Sequence, residues 1–468
     1  MFLPMRSTVF FLTAIMLVLN LGLTSTIHAQ RPPLKVSKKV SFSLNRGGLE
    51  LVPGTPEEVG IDGRLLNLKI NTIMQEAIDE GAFPGAQILL AKDGIIFYEG
   101  SFGYHTFEQE QPVQLTDLYD LASVTKTTAT TLALMKLYED GLFDLDQTFG
   151  YYFPKIAKRD KRDMKMRDVL AHQAGLKPWI PFWSESQRKN GKFRWNTVKA
   201  DSSRHFPHRI SDSGLFLHRK YRERKIYRMI KRSEVSEDKR YVYSGLPFYL
   251  FPELVERLSG LPFDEYLYQN FYQPMGAETL KFNPTQHFPL ERIVPTEVDT
   301  FFRMDTLHGR VHDEGAAMML GVSGNAGLFS NARDLAKIYQ MLLNGGQYGG
   351  ERYLKPETIA AFTKRQFPEN DNRRGLGFDK PLITYNPQLS SVARDATSQS
   401  FGHTGYTGTL VWADPAQNLL FVFLSNRVHP TRNNAKIYQL NVRPNIHNLV
   451  YDLLRRGKGT YTLGRHKD

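Results

Sequence analysis

Apolar residues at Leu66, Ile70, Ile73, Met74, Ala77 and Ile78 recur every three to four positions, and this spacing predicts a helix over 64–80. Gly81 and Pro84-Gly85 end it. Two apolar runs follow, 86–91 and 95–100, joined by Lys92-Asp93-Gly94, which reads as a β-hairpin. Residues 129–138 are apolar almost throughout, apart from Thr130, Thr131 and Lys136. A helix apolar on most sides is buried on most sides. From 142 to about 295 the pattern is helix and loop, including a short helix over 168–176 stopped by Gly175. A capped amphipathic helix is expected over 330–343, ending at Gly345-Gly346. Strands are expected at 408–413 and 419–424 around the turn Asp414-Pro415, and a closing helix over 441–456 despite Pro444. Sheet signals therefore lie at both ends of the chain, with helices between them.

The first thirty residues differ from the rest. Arg6 precedes an apolar run over 9–23, and small and polar residues then lead to Ile27-His28-Ala29-Gln30. That order is the one expected of a secretory signal at 1–29, cleaved after Ala29, and the run is short for a membrane span. Residues 30–60 read as an extended lead-in. The expectation is an exported protein, periplasmic or extracellular, with no stable membrane span after cleavage.

With 468 residues, 41% of them hydrophobic, the chain can bury a large core. It has no cysteine, which excludes disulfides, a thiol nucleophile and thiolate metal sites. The net charge of +12 is concentrated: residues 184–240 hold 17 Lys and Arg against 7 Asp and Glu. Phe193, Trp195, Phe206, Phe216, Tyr221 and Tyr227 are spaced among those charges. One reading is an insertion whose aromatics pack inward while its charges face water. The other is a surface for an anionic polymer or cell-wall material; export argues against nucleic acid.

The candidate chemistry begins at Ser123. A serine hydroxyl needs a base to act as a nucleophile, and Lys126 is three residues away, on the same face if a helix begins at Ser123. Locally, Ser123 could equally be a helix cap. Tyr243, in Tyr241-Val242-Tyr243-Ser244-Gly245, could exchange a proton with Ser123 or Lys126 if packed against them. His403, in Phe401-Gly402-His403-Thr404-Gly405-Tyr406-Thr407-Gly408 at a strand start, offers a polar or cationic head beside glycines that allow close backbone approach.

Taken in order, Ser-x-x-Lys, Tyr-Ser-x and His-Thr-Gly resemble the serine β-lactamase and penicillin-binding-protein superfamily, within it the class C β-lactamase-like group. Leu170-Ala171-His172-Gln173-Ala174-Gly175-Leu176 and Gly324-Asn325-Ala326-Gly327-Leu328-Phe329-Ser330 add to the resemblance, as does Val311-His312-Asp313-Glu314. It implies an α/β (α+β) fold: an antiparallel sheet flanked by N- and C-terminal helices (about 61–141 and 315–468), plus an all-helical subdomain (about 142–314) carrying the basic insertion 184–240. It implies Ser123 as the acylated nucleophile, Lys126 as proton acceptor and Tyr243 as proton shuttle. It implies an oxyanion hole from the backbone N–H groups of Ser123 and Tyr406, with His403, Thr404 and Gly405 on the substrate side. His403 would bind a substrate carboxylate or polarise Tyr243; as an imidazolium it would make kcat/KM for carboxylate substrates fall as pH rises past roughly 6.5. No cofactor is implied, and His312-Asp313-Glu314 point in too many directions to suggest a metal site.

Gly245 departs from the resemblance, which has Asn or Asp there to contact the substrate amide and orient the lysine. The expected activity is thus a serine hydrolase acting on an ester, an amide or a D-amino-acid peptide. The alternatives are a true β-lactamase or D,D-carboxypeptidase, and a degenerate member that binds peptidoglycan or an anionic ligand without turnover.

Overall fold

A computed structural model describes residues 49–463. The signal at 1–29 and most of the lead-in lie outside the described residues.

The hairpin forms as its sequence predicts. Strands β2 (Gly85–Lys92) and β3 (Ile95–Gly103) pair antiparallel. Asp93 and Gly94 both adopt positive φ, 53° and 80°, the conformation a two-residue hairpin turn demands. The end of the lead-in, β1 (Val52–Pro53), adds to β3 in parallel. The C-terminal strands β4 (Phe401–Thr404), β5 (Leu410–Asp414) and β6 (Leu419–Ser425) complete one six-stranded sheet in the order β1-β3-β2-β6-β5-β4. Its centre is the pairing of β6 with β2, two strands more than 300 residues apart in the chain.

Every residue of β6 is buried, because helices cover both faces. Leu420, Val422 and Leu424 share a core with the 132–139 and 332–343 helices, while Phe421 packs on His447 of the C-terminal helix, ring centres 5.0 Å apart. That outer layer consists of α1 (Gly63–Asp79) and the closing helix Val442–Leu463, which pack against each other. Pro444 is tolerated because it occupies the first turn, where its missing N–H has no intrahelical acceptor. The amphipathic helix begins later than its sequence suggests. Ser330 ends a short strand, Leu328–Ser330, and Asn331 caps the helix Ala332–Leu343 by accepting from Asp334 N at 2.8 Å.

Between 142 and 314 the chain is mainly short helices and loops. In the basic stretch it also forms a small sheet from Val198–Lys199, His208–Arg209 and Phe216–Leu217. Among the described residues no helix is long and apolar enough to cross a membrane.

Candidate active site

The turn that carries Ser123 is held by a buried carboxylate. Asp120 Oδ1 accepts from Ala122 N at 2.8 Å and Oδ2 from His312 N at 2.6 Å. Ala122 has φ +45°, a left-handed conformation that costs a non-glycine residue about 1–2 kcal/mol. The two Asp120 bonds maintain this kink immediately before Ser123. Ser123 then lies in a tight 3-10 turn, Ala122–Val124, and a wider π-helical stretch, Lys126–Thr131, leads into the α-helix Leu132–Glu139. The whole π-helical stretch is buried, as the apolar text after it suggested.

Two side chains meet at the Ser123 hydroxyl. Lys126 Nζ donates to Ser123 Oγ at 3.0 Å and to the Asn325 carbonyl at 2.8 Å. Tyr243 OH lies 3.2 Å from the same Oγ. The lysine is only 2% exposed, and its Nζ sits 5.4 Å and 5.5 Å from the ring centres of Tyr243 and Phe248. The structure therefore brings Tyr243 to the Ser123–Lys126 pair, 120 residues earlier in the chain. Asn325 was legible only as part of a glycine-rich helix entry. Its backbone carbonyl orients the lysine where the resemblance places an Asn side chain at the position of Gly245.

The third stretch is fastened to the nucleophile turn. Thr407 Oγ1 donates to the Asp120 carbonyl at 2.7 Å and Thr409 Oγ1 to the Leu121 carbonyl at 3.0 Å. Gly405 permits this approach: a Cβ there would stand 2.5 Å from the Leu121 oxygen and 2.0 Å from Thr409 Oγ1. Ser123 and Tyr406 consequently border one cavity. Their backbone N–H groups have no loop or side-chain acceptor among the described residues, so both can face a developing oxyanion.

His403 departs from the cationic head expected of it. It is 3% exposed and does not line the cavity. Its Nδ1 donates to the Thr404 carbonyl at 2.7 Å, and Nε2 accepts from Arg374 Nη2 at 3.2 Å. Burial first, then the positive charges of Arg374 and Lys126, push its pKa down to about 3. His403 is neutral throughout pH 5–8 and cannot bind a carboxylate as an imidazolium.

Arg374, rather than His403, places a positive charge beside Tyr243, with its guanidinium 5.5 Å from the tyrosine ring centre. Its Nη2 also lies 3.3 Å from His172 Nε2 and donates to the Gly377 carbonyl at 2.9 Å. His172 packs its ring 4.7 Å from that of Tyr243. Asp379 faces both Arg373 and Arg374; burial opposes its charge, but the two guanidiniums outweigh it and hold the carboxyl well below the usual range. Nothing in the local text around Arg374 distinguishes it from a surface arginine. His403→Lys should therefore destabilise the fold by about 3 kcal/mol or more, since it buries a second cation against Arg374 without a partner. His403→Gln, which keeps an acceptor, should unfold close to wild type and leave the pH profile of kcat/KM unchanged; urea melts and pH–rate curves test both.

The cavity above Ser123 measures about 450 Å³ and is mainly apolar, with Trp179, Leu246 and Tyr406 among its walls. One wall is charged and was not foreseen from the sequence. Arg432 Nε donates to Glu297 Oε1 at 2.7 Å and Nη2 to Glu314 Oε1 at 2.7 Å. His312 Nε2 stands 2.8 Å from Glu297 Oε2, off the ideal hydrogen-bond direction. Asp313 accepts from Tyr249 OH at 2.9 Å, and Asn325 Nδ2 donates to that hydroxyl at 3.1 Å. The His312-Asp313-Glu314 stretch thus forms a wall of the cavity, tied to the lysine through Tyr249 and Asn325. Gly245 opens the cavity further, with no atom within 4 Å of where a Cβ would project.

The sequence model of the beta-lactamase family matches residues 70–442. The chain belongs to the beta-lactamase family. It is a serine hydrolase of that family. A relative from Salmonella schwarzengrund, named "Putative D-alanyl-D-alanine carboxypeptidase", is 31% identical over 431 residues, covering 85% of this chain and 91% of the relative. Two solved structures share the fold. A penicillin-binding protein homolog from Caulobacter crescentus has a TM-score of 0.56 at 18% identity, over 83% of this chain and 97% of its own. The D-amino acid amidase from Ochrobactrum anthropi SV3 has a TM-score of 0.56 at 17% identity, over 85% and 99%.

Proposed function

We propose that this beta-lactamase family member is an exported hydrolase that cleaves an ester or amide through an acyl-enzyme on Ser123. The observation that carries the reading is the convergence of Lys126 Nζ and Tyr243 OH on Ser123 Oγ, at 3.0 and 3.2 Å, on the wall of an open cavity. Ser123 Oγ attacks the substrate carbonyl and its proton passes to Lys126 in the amine form. The carbonyl oxygen takes the negative charge between the N–H groups of Ser123 and Tyr406. Tyr243 relays a proton to the leaving oxygen or nitrogen as the acyl bond breaks. A water then enters, loses its proton along the same path and releases the acid, which regenerates Ser123. The signal-like text at 1–29 supports export to a periplasmic or extracellular space.

The name of the Salmonella relatives favours a second reading, hydrolysis of a D-alanyl-D-alanine peptide. Binding a terminal carboxylate needs a cation, however. Of the lysine and arginine lining the cavity, Lys126 serves Ser123 and Arg432 is paired with Glu297 and Glu314. The geometry therefore favours a substrate whose leaving group carries no carboxylate. Purified protein assayed with a short-chain nitrophenyl ester, a D-Ala-D-Ala peptide and a chromogenic cephalosporin separates the readings. Labelling of Ser123 by a fluorophosphonate, absent in Ser123→Ala, with ester turnover exceeding the other two, supports the first. Absence of labelling and of turnover on all three would leave a binding protein.

Gly245 has φ −82° and ψ −13°, which any residue adopts, and open space beyond it. Gly245→Asn should leave the unfolding midpoint nearly unchanged. It should shift selectivity from esters toward amides, several-fold in the ratio of kcat/KM values, because an amide N–H gains an acceptor.

A further inference from the structure

The basic stretch folds around a second cavity, of about 440 Å³, which shares no lining residue with that of Ser123. The small sheet sets its frame, pairing Val198 with Leu217 and His208 with Leu217. Arg219 N donates to the His205 carbonyl and His218 N to the Thr197 carbonyl, which draws three segments around one hollow. Lys199, Arg219, Lys220 and Arg224 line it, and all four are exposed. Among the described residues none of them forms an ion pair, whereas neighbouring Arg222 and Lys225 do. No acidic residue lines the cavity.

An aromatic surface completes the hollow. Trp195 is 73% exposed, although tryptophan is ordinarily among the most buried of side chains. Phe206 is buried beneath, with Lys199 Nζ 5.0 Å from its ring centre and His218 packed edge-on at 5.2 Å. The His218 imidazole is held below its usual range by burial, then by neighbouring charges, that of Arg224 foremost. Four like charges gathered without counter-ions repel one another, and a solvated surface would gain by dispersing them. A ligand that brings negative charge relieves that repulsion. An exposed indole beside the charges offers a flat apolar face for a sugar ring, and Asn196 offers an amide for its hydroxyls.

We propose that this hollow is a binding site for an anionic saccharide, its carboxylate or phosphate against Arg219, Lys220 and Arg224 and its ring on Trp195. The site is independent of the Ser123 chemistry and does not rest on the proposed function. It would hold the hydrolase on an acidic glycan while the Ser123 cavity works separately.

The test uses the full-length protein and titration calorimetry with a galacturonate oligosaccharide, a neutral cello-oligosaccharide of equal length, a single-stranded oligodeoxynucleotide and inorganic phosphate. The galacturonate oligosaccharide should bind best, and the cello-oligosaccharide at least tenfold more weakly. Raising ionic strength from 50 to 500 mM should weaken binding at least tenfold. Trp195→Ala, and separately Arg219→Ala with Lys220→Ala, should each weaken it at least tenfold, with unfolding midpoint and ester hydrolysis unchanged. Undiminished binding in Trp195→Ala, equal binding of the neutral oligosaccharide, tighter binding of the oligodeoxynucleotide, phosphate binding as tightly as the oligosaccharide, or no binding at all would each overturn the proposal.

Discussion

Lys126→Ala should fold and yet lose roughly four orders of magnitude in kcat, about 5.5 kcal/mol of transition-state stabilisation. The amine is the sole nitrogen base within hydrogen-bond reach of Ser123 Oγ among the described residues, at 3.0 Å, and the Asn325 carbonyl fixes its direction. Tyr243 at 3.2 Å can share the proton but has no second base behind it once the lysine is gone. Ser123→Ala should be equally inactive, and the double variant no worse than either, because nucleophile and base act as one unit. The structural cost of the lysine change is smaller: the Asn325 carbonyl loses a buried donor, which is worth about 1–3 kcal/mol. Steady-state kinetics on a nitrophenyl ester, with melts run in parallel, separate the two effects. More than a tenth of wild-type kcat in Lys126→Ala would remove Lys126 from the mechanism, and partial rescue by added ethylamine would confirm it as the base.

Legibility in the sequence followed the range of the interaction. The 93–94 hairpin and the Ser123–Lys126 pair are local, so turn chemistry and helical spacing were enough to foresee them. The region of β4 was foreseen as a strand start, yet the charge state of His403 was not. That charge is set by burial and by Arg374, 29 residues earlier in the chain and unmarked by any pattern. The kink at Ala122 was likewise hidden, since it is held by Asp120, which also reaches His312, 192 residues away. The absence of a side chain at Gly245 suggested an incomplete site. The structure instead orients the lysine from Asn325, so the missing Asn widens the cavity rather than disorienting the base.

Arg432→Ala should strongly destabilise the fold. It would strip the guanidinium from Glu297 and Glu314, whose side chains are only 4% and 7% exposed, leaving Glu297 with His312 and the backbone N–H of residue 432 and removing the ion pair of Glu314. Breaking a buried pair in this way costs roughly 3–5 kcal/mol. Glu297 gives the effect a pH signature. Burial works against its charge, but the close contacts of His312 and Arg432 with its carboxylate prevail and bring its pKa down to about 2 from an ordinary 4.5. A carboxyl with a depressed folded-state pKa contributes stability that is fully present above the unfolded value and disappears as pH falls through the folded one. For Glu297 that contribution is about 3 kcal/mol above pH 4.5, lost between pH 4.5 and 2. Chemical denaturation of wild type and variant at several pH values should therefore give curves that lie far apart at pH 7 and converge as pH approaches 2. A constant offset between them across that window would assign the loss to packing of the arginine stem, and a wild-type midpoint for Arg432→Ala at pH 7 would dissolve the network as a stabilising element. Because the same wall borders the Ser123 cavity and connects to Lys126 through Tyr249 and Asn325, the variant should also lose activity in proportion to how far Asp313 shifts. Restoring the carboxylate partner with Arg432→Lys should recover part of the stability but not the two-pronged contact that spans Glu297 and Glu314.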